Sequence, residues 1–199
     1  MKEEISYKGK KVFIGIDVHK KSYSICAVVE GEVVYQRKLL ADPRNLVEQL
    51  GRFKDGEIYT VYEAGFSGVG LHRYLEEHGI KNIVVNPASI PVAKKDRVKT
   101  DKRDARKLAS ELSHGSLRSI RIPSNGQEVE RLITRARARI VKKRTAVRNE
   151  IWMKLYQFGY SGAEQSLMSL KWIEAFVKRE GIAEEMKIVL ECSINQWRL

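Results

Sequence analysis

The sequence predicts an α/β fold: a mixed five-stranded sheet with helices, followed by a long helical extension. Three observations support this prediction. Five short runs of β-branched and apolar residues lie in the first part of the chain, and residues typical of turns separate them. Two amphipathic helical patterns fall between the last three of these runs. Further along, apolar residues recur at steps of three and four over a long stretch, which indicates a long helix.

The first three strands are predicted to form an antiparallel meander. The run Val12–Val18 suits a buried strand and contains a single acid, Asp17, near its end. The runs Tyr23–Val29 and Glu32–Arg37 follow closely, joined by the turn Glu30-Gly31, in which glycine is free to adopt positive φ. Because so short a turn reverses the chain, these strands should pair antiparallel.

Two helical crossovers then add two more strands. Asp42-Pro43 supplies an N-cap and a first-turn proline for the first helix, which is expected to end near residues 55–56. Strand four, Glu57–Tyr62, runs into a glycine-rich turn and a second helix that Gly79 closes. Strand five is Lys81–Val85. Helical crossovers are right-handed and place the strands they join parallel, so the order βββαβαβ is the ribonuclease H-like plan.

The rest of the chain is predicted to be helical. One helix is expected over residues 101–114 and a long one over 124–158, with further helical segments over 163–179 and 182–197. At 1.5 Å per residue the long helix would reach roughly 50 Å, so part of it should pack against another helix. Its apolar stripe is coiled-coil-like, except where Lys143-Arg144 interrupts it.

Positive charge is concentrated in one segment of the 199-residue chain, whose formal net charge is +12. The segment Lys94–Arg148 contains 18 Lys and Arg against 6 Asp and Glu, while the remaining residues hold 19 of each. Such a concentration attracts polyanions through counterion release, so nucleic acid is the expected partner; a solvated helix face is the alternative. The predicted nucleic-acid-binding residues are Lys94, Lys95, Arg97, Lys99, Lys102, Arg103, Arg106, Lys107, Arg135, Arg139, Lys142 and Lys143.

Composition argues against several other classes of protein. No apolar run approaches the ~20 residues that a bilayer span requires, and the N-terminus lacks the order of charged and apolar residues in a signal peptide. The two cysteines are too few for a disulfide framework or a cysteine-built zinc site. We therefore expect a cytoplasmic protein with no membrane partner.

Four acids stand at positions where the predicted fold brings them together. Asp17 ends strand one and Glu63 ends strand four, which is its neighbour in this plan, while Asp101 and Asp104 share one helix face. Four carboxylates without a counter-charge repel one another, and hard divalent cations relieve that repulsion. We predict a Mg²⁺ or Mn²⁺ site that acts on phosphodiesters. The alternative is that each acid is an ordinary turn or helix-capping residue.

Two further residues are weaker candidates. His19 could contact a phosphate, but alternation along the strand is expected to direct it away from Asp17. Ser161 lies in a predicted turn between helices, so it is not assigned as a nucleophile.

Four stretches of the sequence resemble the DEDD transposases of insertion sequence family 110. They read GIDVHKK, YEAG followed by SG, NP, and RVKTDKRDA, and they start at Gly15, Tyr62, Asn86 and Arg97. The similar region spans about residues 12–115 and contains all four acids. The resemblance implies a RuvC-like catalytic domain over 1–120 and a helical coiled-coil dimerisation segment over 121–199. Its catalytic metal ligands would be Asp17, Glu63, Asp101 and Asp104.

The resemblance also implies an activity and its partners. Transposases of this family are DNA recombinases that use a divalent metal, donor and target DNA, and an element-encoded bridge RNA. A homodimer is expected, with a tetramer in synapsis, at the nucleoid of a prokaryotic cell. Family members continue into a second domain with a serine nucleophile, which is not visible before Leu199. The chain is therefore expected to be an N-terminal fragment or a shortened member that binds nucleic acid and metal without completing recombination.

Two other functions are consistent with parts of the sequence. A non-enzymatic RNA- or DNA-binding and dimerisation module would also explain the basic long helix. An actin-like ATPase opens with a stretch similar to Gly15–Val18, but the second phosphate loop and the adenosine site of that class are not evident.

Overall fold

The computed structural model describes residues 6–90, 101–160, 169–179 and 181–198, without the side chains of Asp101 and Lys102. The chain divides into two compact units, Met1–Ile122 and Pro123–Leu199. The predicted turn at Ser161 lies outside the described residues, as do four of the predicted nucleic-acid-binding residues, Lys94, Lys95, Arg97 and Lys99.

The first unit contains one five-stranded sheet in the order β3-β2-β1-β4-β5. Its strands are β1 (Lys11–Val18), β2 (Ser22–Val29), β3 (Glu32–Leu40), β4 (Glu57–Glu63) and β5 (Lys81–Val85). β2 pairs antiparallel with both β1 and β3, whereas β4 pairs parallel with both β1 and β5. This mixed sheet confirms the predicted ribonuclease H-like fold, including the neighbouring positions of strands one and four.

A two-residue turn, Glu30-Gly31, joins β2 to β3. Glu30 and Gly31 have φ of 52° and 87°, the left-handed region that the twist of a tight hairpin requires. β3 extends three residues beyond its predicted end at Arg37, because Leu39 pairs with Tyr23 and is buried in the core.

Helices α1 (Pro43–Leu50) and α2 (Gly70–Glu77) contribute to the larger core of this unit. Asp42 caps α1 by accepting a hydrogen bond from the backbone N–H of Arg44, and the hydrogen bonds from Arg44 lower the pKa of this carboxyl group. α1 ends at Leu50, earlier than predicted, and a 3₁₀ turn over Gly51–Phe53 follows. That turn keeps Phe53 fully buried between the rings of Tyr7 and Tyr35.

Helix α3 (Asp101–Ser113) packs on β1 and β2 through small side chains. Ala105 and Ala109 are completely buried beside Cys26. Gly15 of β1 lies directly beneath them: a Cβ at this position would collide with the carbonyl oxygen of Ala105 and lie 2.6 Å from the backbone nitrogen of Ala109. Glycine is therefore required here to let the helix backbone approach the strand.

The second unit consists of helices α4 (Asn125–Gln157), α5 (Leu170–Val177) and α6 (Glu184–Arg198). Ser124 and Gln127 form a capping box at the start of α4. Among the described residues, the last part of α4 contributes to the core of this unit, where Ile151 and Leu155 pack with residues of α5 and α6. Upstream, Val129, Leu132, Ile133 and Ile140 are each at least half exposed. Of the helix predicted over 163–179, residues 163–168 lie outside the described part of the chain.

No helix within the described residues is both long enough and apolar enough to cross a membrane.

Replacing Gly15 with alanine should destabilise the first unit. The added methyl group has no space between β1 and α3, so we expect Gly15→Ala to lower the free energy of unfolding by roughly 3 kcal/mol, measured by urea denaturation. Gly51→Ala is the matched control, since nothing lies within 4 Å of a Cβ there and its φ of −56° suits alanine. We expect the control to be neutral or stabilising by about 0.5 kcal/mol. Equal effects of the two substitutions would contradict the close contact.

Candidate metal centre

The parallel register of β1 and β4 places two of the four predicted acids side by side. Ile16 pairs with Tyr62 in this ladder, so Asp17 and Glu63 occupy the next position on the two strands. Both residues therefore lie at the carboxyl edge of the sheet. Asp17 is half-buried and Glu63 is exposed.

Helix α3 contributes the other two predicted acids. Ala105 contacts β1 at Gly15, and the half-buried Asp104 is the residue immediately before it. Asp101 is the first residue of α3 and precedes Asp104 by three positions, on the same side of the helix. The described backbone thus brings the first turn of α3 to the strand that bears Asp17, while the side chain of Asp101 lies outside the description.

A histidine that was expected to point away from the acids contacts one of them. Nε2 of His19 lies 2.9 Å from Oδ2 of Asp17, a hydrogen bond in which the imidazole N–H donates to the carboxylate. The expectation was wrong because residues two apart along an extended strand lie on the same face, not on opposite faces. The spacing of Asp17 and His19 was itself the signal for this contact.

The chemistry of the donor set fits a hard divalent cation. Asp17, Glu63 and Asp104 offer carboxylate oxygens, the ligands that Mg²⁺ and Mn²⁺ prefer. Among the described side chains, no three acidic, histidine or cysteine groups converge closely enough to hold an ion. The side chain of Asp101, the fourth predicted ligand, is not among the described side chains.

The turn that follows Glu63 is held by a buried tyrosine that sequence reasoning missed. The hydroxyl of Tyr62 donates to the carbonyl oxygen of Gly68 at 3.0 Å and accepts from the backbone N–H of His72 at 3.2 Å. Burial raises the pKa of Tyr62 to about 12. These bonds connect β4 to the start of α2 across the turn, so they fix the path of the chain directly after Glu63.

The described basic residues fall in both units. On α3, Arg103 and Arg106 are exposed and Lys107 is half-buried. The side chain of Lys102 lies outside the description. On α4, the four predicted nucleic-acid-binding residues are all exposed: Arg135, Arg139, Lys142 and Lys143.

Comparison with known proteins gives one family. Residues 14–159 match the family model for DEDD transposases of the IS110 type, described as a transposase. A Sinorhizobium fredii protein named as a transposase, y4qE, is 35% identical over 83% of this chain and 44% of its own length. The transposase of insertion sequence element IS1533 from Leptospira borgpetersenii is 36% identical over 50% of this chain and 30% of its own length. The transposase of IS1111A from Coxiella burnetii is 28% identical over 96% and 52%.

The chain thus spans about half the length, or less, of these relatives. Among solved structures, T. thermophilus RuvC in complex with Holliday junction substrate aligns with a TM-score of 0.40 and 14% identity. That alignment covers 55% of this chain and 99% of the RuvC chain.

Removing the Tyr62 hydroxyl should loosen the turn beside Glu63. Tyr62→Phe deletes the donor to Gly68 and leaves the His72 N–H without its acceptor, so we expect the free energy of unfolding to fall by about 1–2 kcal/mol. Amide hydrogen exchange in residues 64–72 should become faster. Tyr59→Phe is the control, because the printed partners of its hydroxyl, the side chains of Glu57 and Lys81, are both exposed. Unchanged exchange in the Tyr62 variant would show that the turn is held by other contacts.

Proposed function

This chain belongs to the IS110 family of DEDD transposases, and from this premise we propose that its first unit is the metal-dependent catalytic domain of a DNA transposase. The main support is the register of β1 and β4, which places Asp17 and Glu63 together at the edge that α3 also reaches. We assign residues 1–120 to this RuvC-like catalytic domain and residues 121–199 to a dimerisation segment.

Asp17, Glu63, Asp101 and Asp104 are the residues that would hold Mg²⁺ or Mn²⁺. When bound, such ions activate a nucleophile and stabilise the leaving oxygen in phosphodiester chemistry. The protein would supply position: two strand ends carry Asp17 and Glu63, the first turn of α3 carries the other two acids, and His19 bonds to one oxygen of Asp17.

The basic residues of α3 would hold the substrate beside these acids. Exposed Arg103 and Arg106, with Lys107, can pair with the phosphates of DNA on either side of the scissile bond. Donor and target DNA are the proposed substrates, and a bridge RNA the proposed guide. In such a system base pairing carries the sequence information, and the protein binds mainly backbone and shape.

The exposed apolar stripe of α4 supports a homodimer, with a tetramer in synapsis. Val129, Ile133, Ala136 and Ile140 recur at steps of three and four, and three of them expose half or more of their surface. A second copy of the helix packing on this stripe would bury it as in a coiled coil. Arg135, Arg139 and Lys142 lie beside the stripe, and Lys143 follows its last member, Ile140; these exposed cations would bind nucleic acid. The proposed place of action is the nucleoid of a prokaryotic cell.

Removing one carboxylate should disrupt metal binding but not nucleic-acid binding. We expect Asp17→Asn to weaken Mn²⁺ binding by at least about tenfold in calorimetry, because a direct ligand should matter at least as much as its supporting partners. Recombination by a full-length protein with this substitution should be lost, while DNA binding persists. The control is Glu32→Gln, which removes an exposed carboxylate at the start of β3. Normal metal binding and recombination in the Asp17 variant would overturn the proposed metal site. Absence of Mn²⁺ binding by the unsubstituted chain, with tight and salt-sensitive RNA binding retained, would favour a non-enzymatic nucleic-acid-binding module instead.

A charge placed in the apolar stripe of α4 should prevent dimerisation. We expect light scattering at tens of micromolar to show a dimer for the unsubstituted chain and a monomer for Ile140→Glu, because the buried carboxylate would have no partner. Thr134→Glu adds the same charge away from the stripe, on the opposite part of the helix, and should leave the dimer intact. A monomeric unsubstituted chain would refute the proposed dimer.

A further inference from the structure

A small cavity in the second unit is lined by cationic and N–H donor groups. It has a volume of about 230 Å³, and its lining residues are Val141, Arg144, Thr145, Arg148 and Trp197. Four of these residues lie on α4, and Trp197 lies near the end of α6. None of the described lining residues is acidic, so this lining carries an excess of positive charge.

Two donors at this cavity are buried without an acceptor. Nε of Arg148 and Nε1 of Trp197 have no hydrogen-bond partner among the described residues. Trp197 as a whole is only 8% exposed. Buried N–H groups in folded proteins are almost always paired, since leaving one unpaired costs stability. Two residues that line the same cavity each carry such a group, which indicates a missing acceptor.

The chemistry of the cavity points to an oxyanion as that acceptor. The guanidinium groups of Arg144 and Arg148 are permanently charged and present planar sets of N–H donors, which match the oxygens of a phosphate. The hydroxyl of Thr145 already donates to the carbonyl oxygen of Val141, so the donors left for a ligand are those of arginine and tryptophan. A neutral apolar ligand would leave both buried N–H groups unpaired.

An adjoining cavity extends the same surface. Its volume is about 430 Å³, and Arg144 lines both cavities. Lys143 and Gln196 also line the second cavity, together with the apolar side chains of Ile140, Ala146 and Val147. The second cavity thus adds another cation and an amide beside the first.

We propose that Arg144, Arg148 and the indole N–H of Trp197 bind a phosphate of a nucleic-acid backbone. The inference rests on the proposed function, which makes nucleic acid the partner of this chain. It adds a site in the helical unit and assigns binding to two arginines, Arg144 and Arg148, that charge patterning alone did not single out.

The test compares two substitutions that each keep the positive charge. Arg148→Lys removes Nε–H and the planar donor set, whereas Arg137→Lys makes the same change at an exposed residue of α4 that lines neither cavity. Binding of a short fluorescein-labelled single-stranded RNA and of a DNA duplex is measured by fluorescence anisotropy with the full chain. We expect Arg148→Lys to weaken binding about fivefold to tenfold and Arg137→Lys to change it less than about twofold.

Two further measurements separate binding from folding. The melting temperature of Arg148→Lys should match that of the unsubstituted chain, because the lost Nε–H has no partner there. Trp197→Phe removes the other unpaired donor without changing charge and should also weaken binding. Arg148→Gln should lower the slope of log K against log salt by about one, the value expected for a single phosphate contact.

The results distinguish RNA from DNA as the source of the phosphate. They also distinguish failure of the proposed site from failure of the proposed function. Selective weakening with RNA assigns the site to RNA, and selective weakening with the duplex assigns it to DNA. Equal effects of Arg148→Lys and Arg137→Lys overturn the site while leaving the proposed function intact. Failure of the unsubstituted chain to bind either probe overturns both, whereas metal binding at Asp17 tests the proposed function alone.

Discussion

The close approach of α3 to β1 at Gly15 is the constraint on which the candidate metal centre depends. A strand residue with any side chain would push the helix outward, and the small buried residues Ala105 and Ala109 show the same requirement from the helix side. Asp104 is adjacent to this contact in the sequence. The backbone contact therefore determines how near the first turn of α3 comes to Asp17. Gly15 is thus needed both for the packing of the helix and for the position of the candidate site.

Most of the first unit could be predicted because its strands are short apolar runs bounded by turn residues. The neighbouring positions of Asp17 and Glu63 followed from the crossover rule for parallel strands. The contact between Asp17 and His19 was equally accessible from their spacing, and the opposite expectation came from misapplying strand alternation. The role of Tyr62 was not accessible, because its two hydrogen bonds depend on where the chain returns after the turn. No local sequence pattern encodes that return.

In the second unit, too, local patterns could be predicted from the sequence but contacts between distant residues could not. Apolar spacing predicted the long helix and nearly its ends, since periodicity is a local property. The cavity beside Arg148 requires Trp197, which is distant in sequence and reaches it only through the packing of α6. Counting charges along the sequence does not distinguish Arg137 from Arg148. Their difference is that one is exposed and the other has a donor buried without an acceptor, and only the folded helices reveal it.

The contact of His19 with a single oxygen of Asp17 suits the proposal that this carboxylate also binds a cation. One imidazole N–H engages one carboxylate oxygen, whereas an arginine fork commonly engages both. His19 contacts Oδ2 of Asp17 and so orients the group with less competition for its oxygens than an arginine would exert.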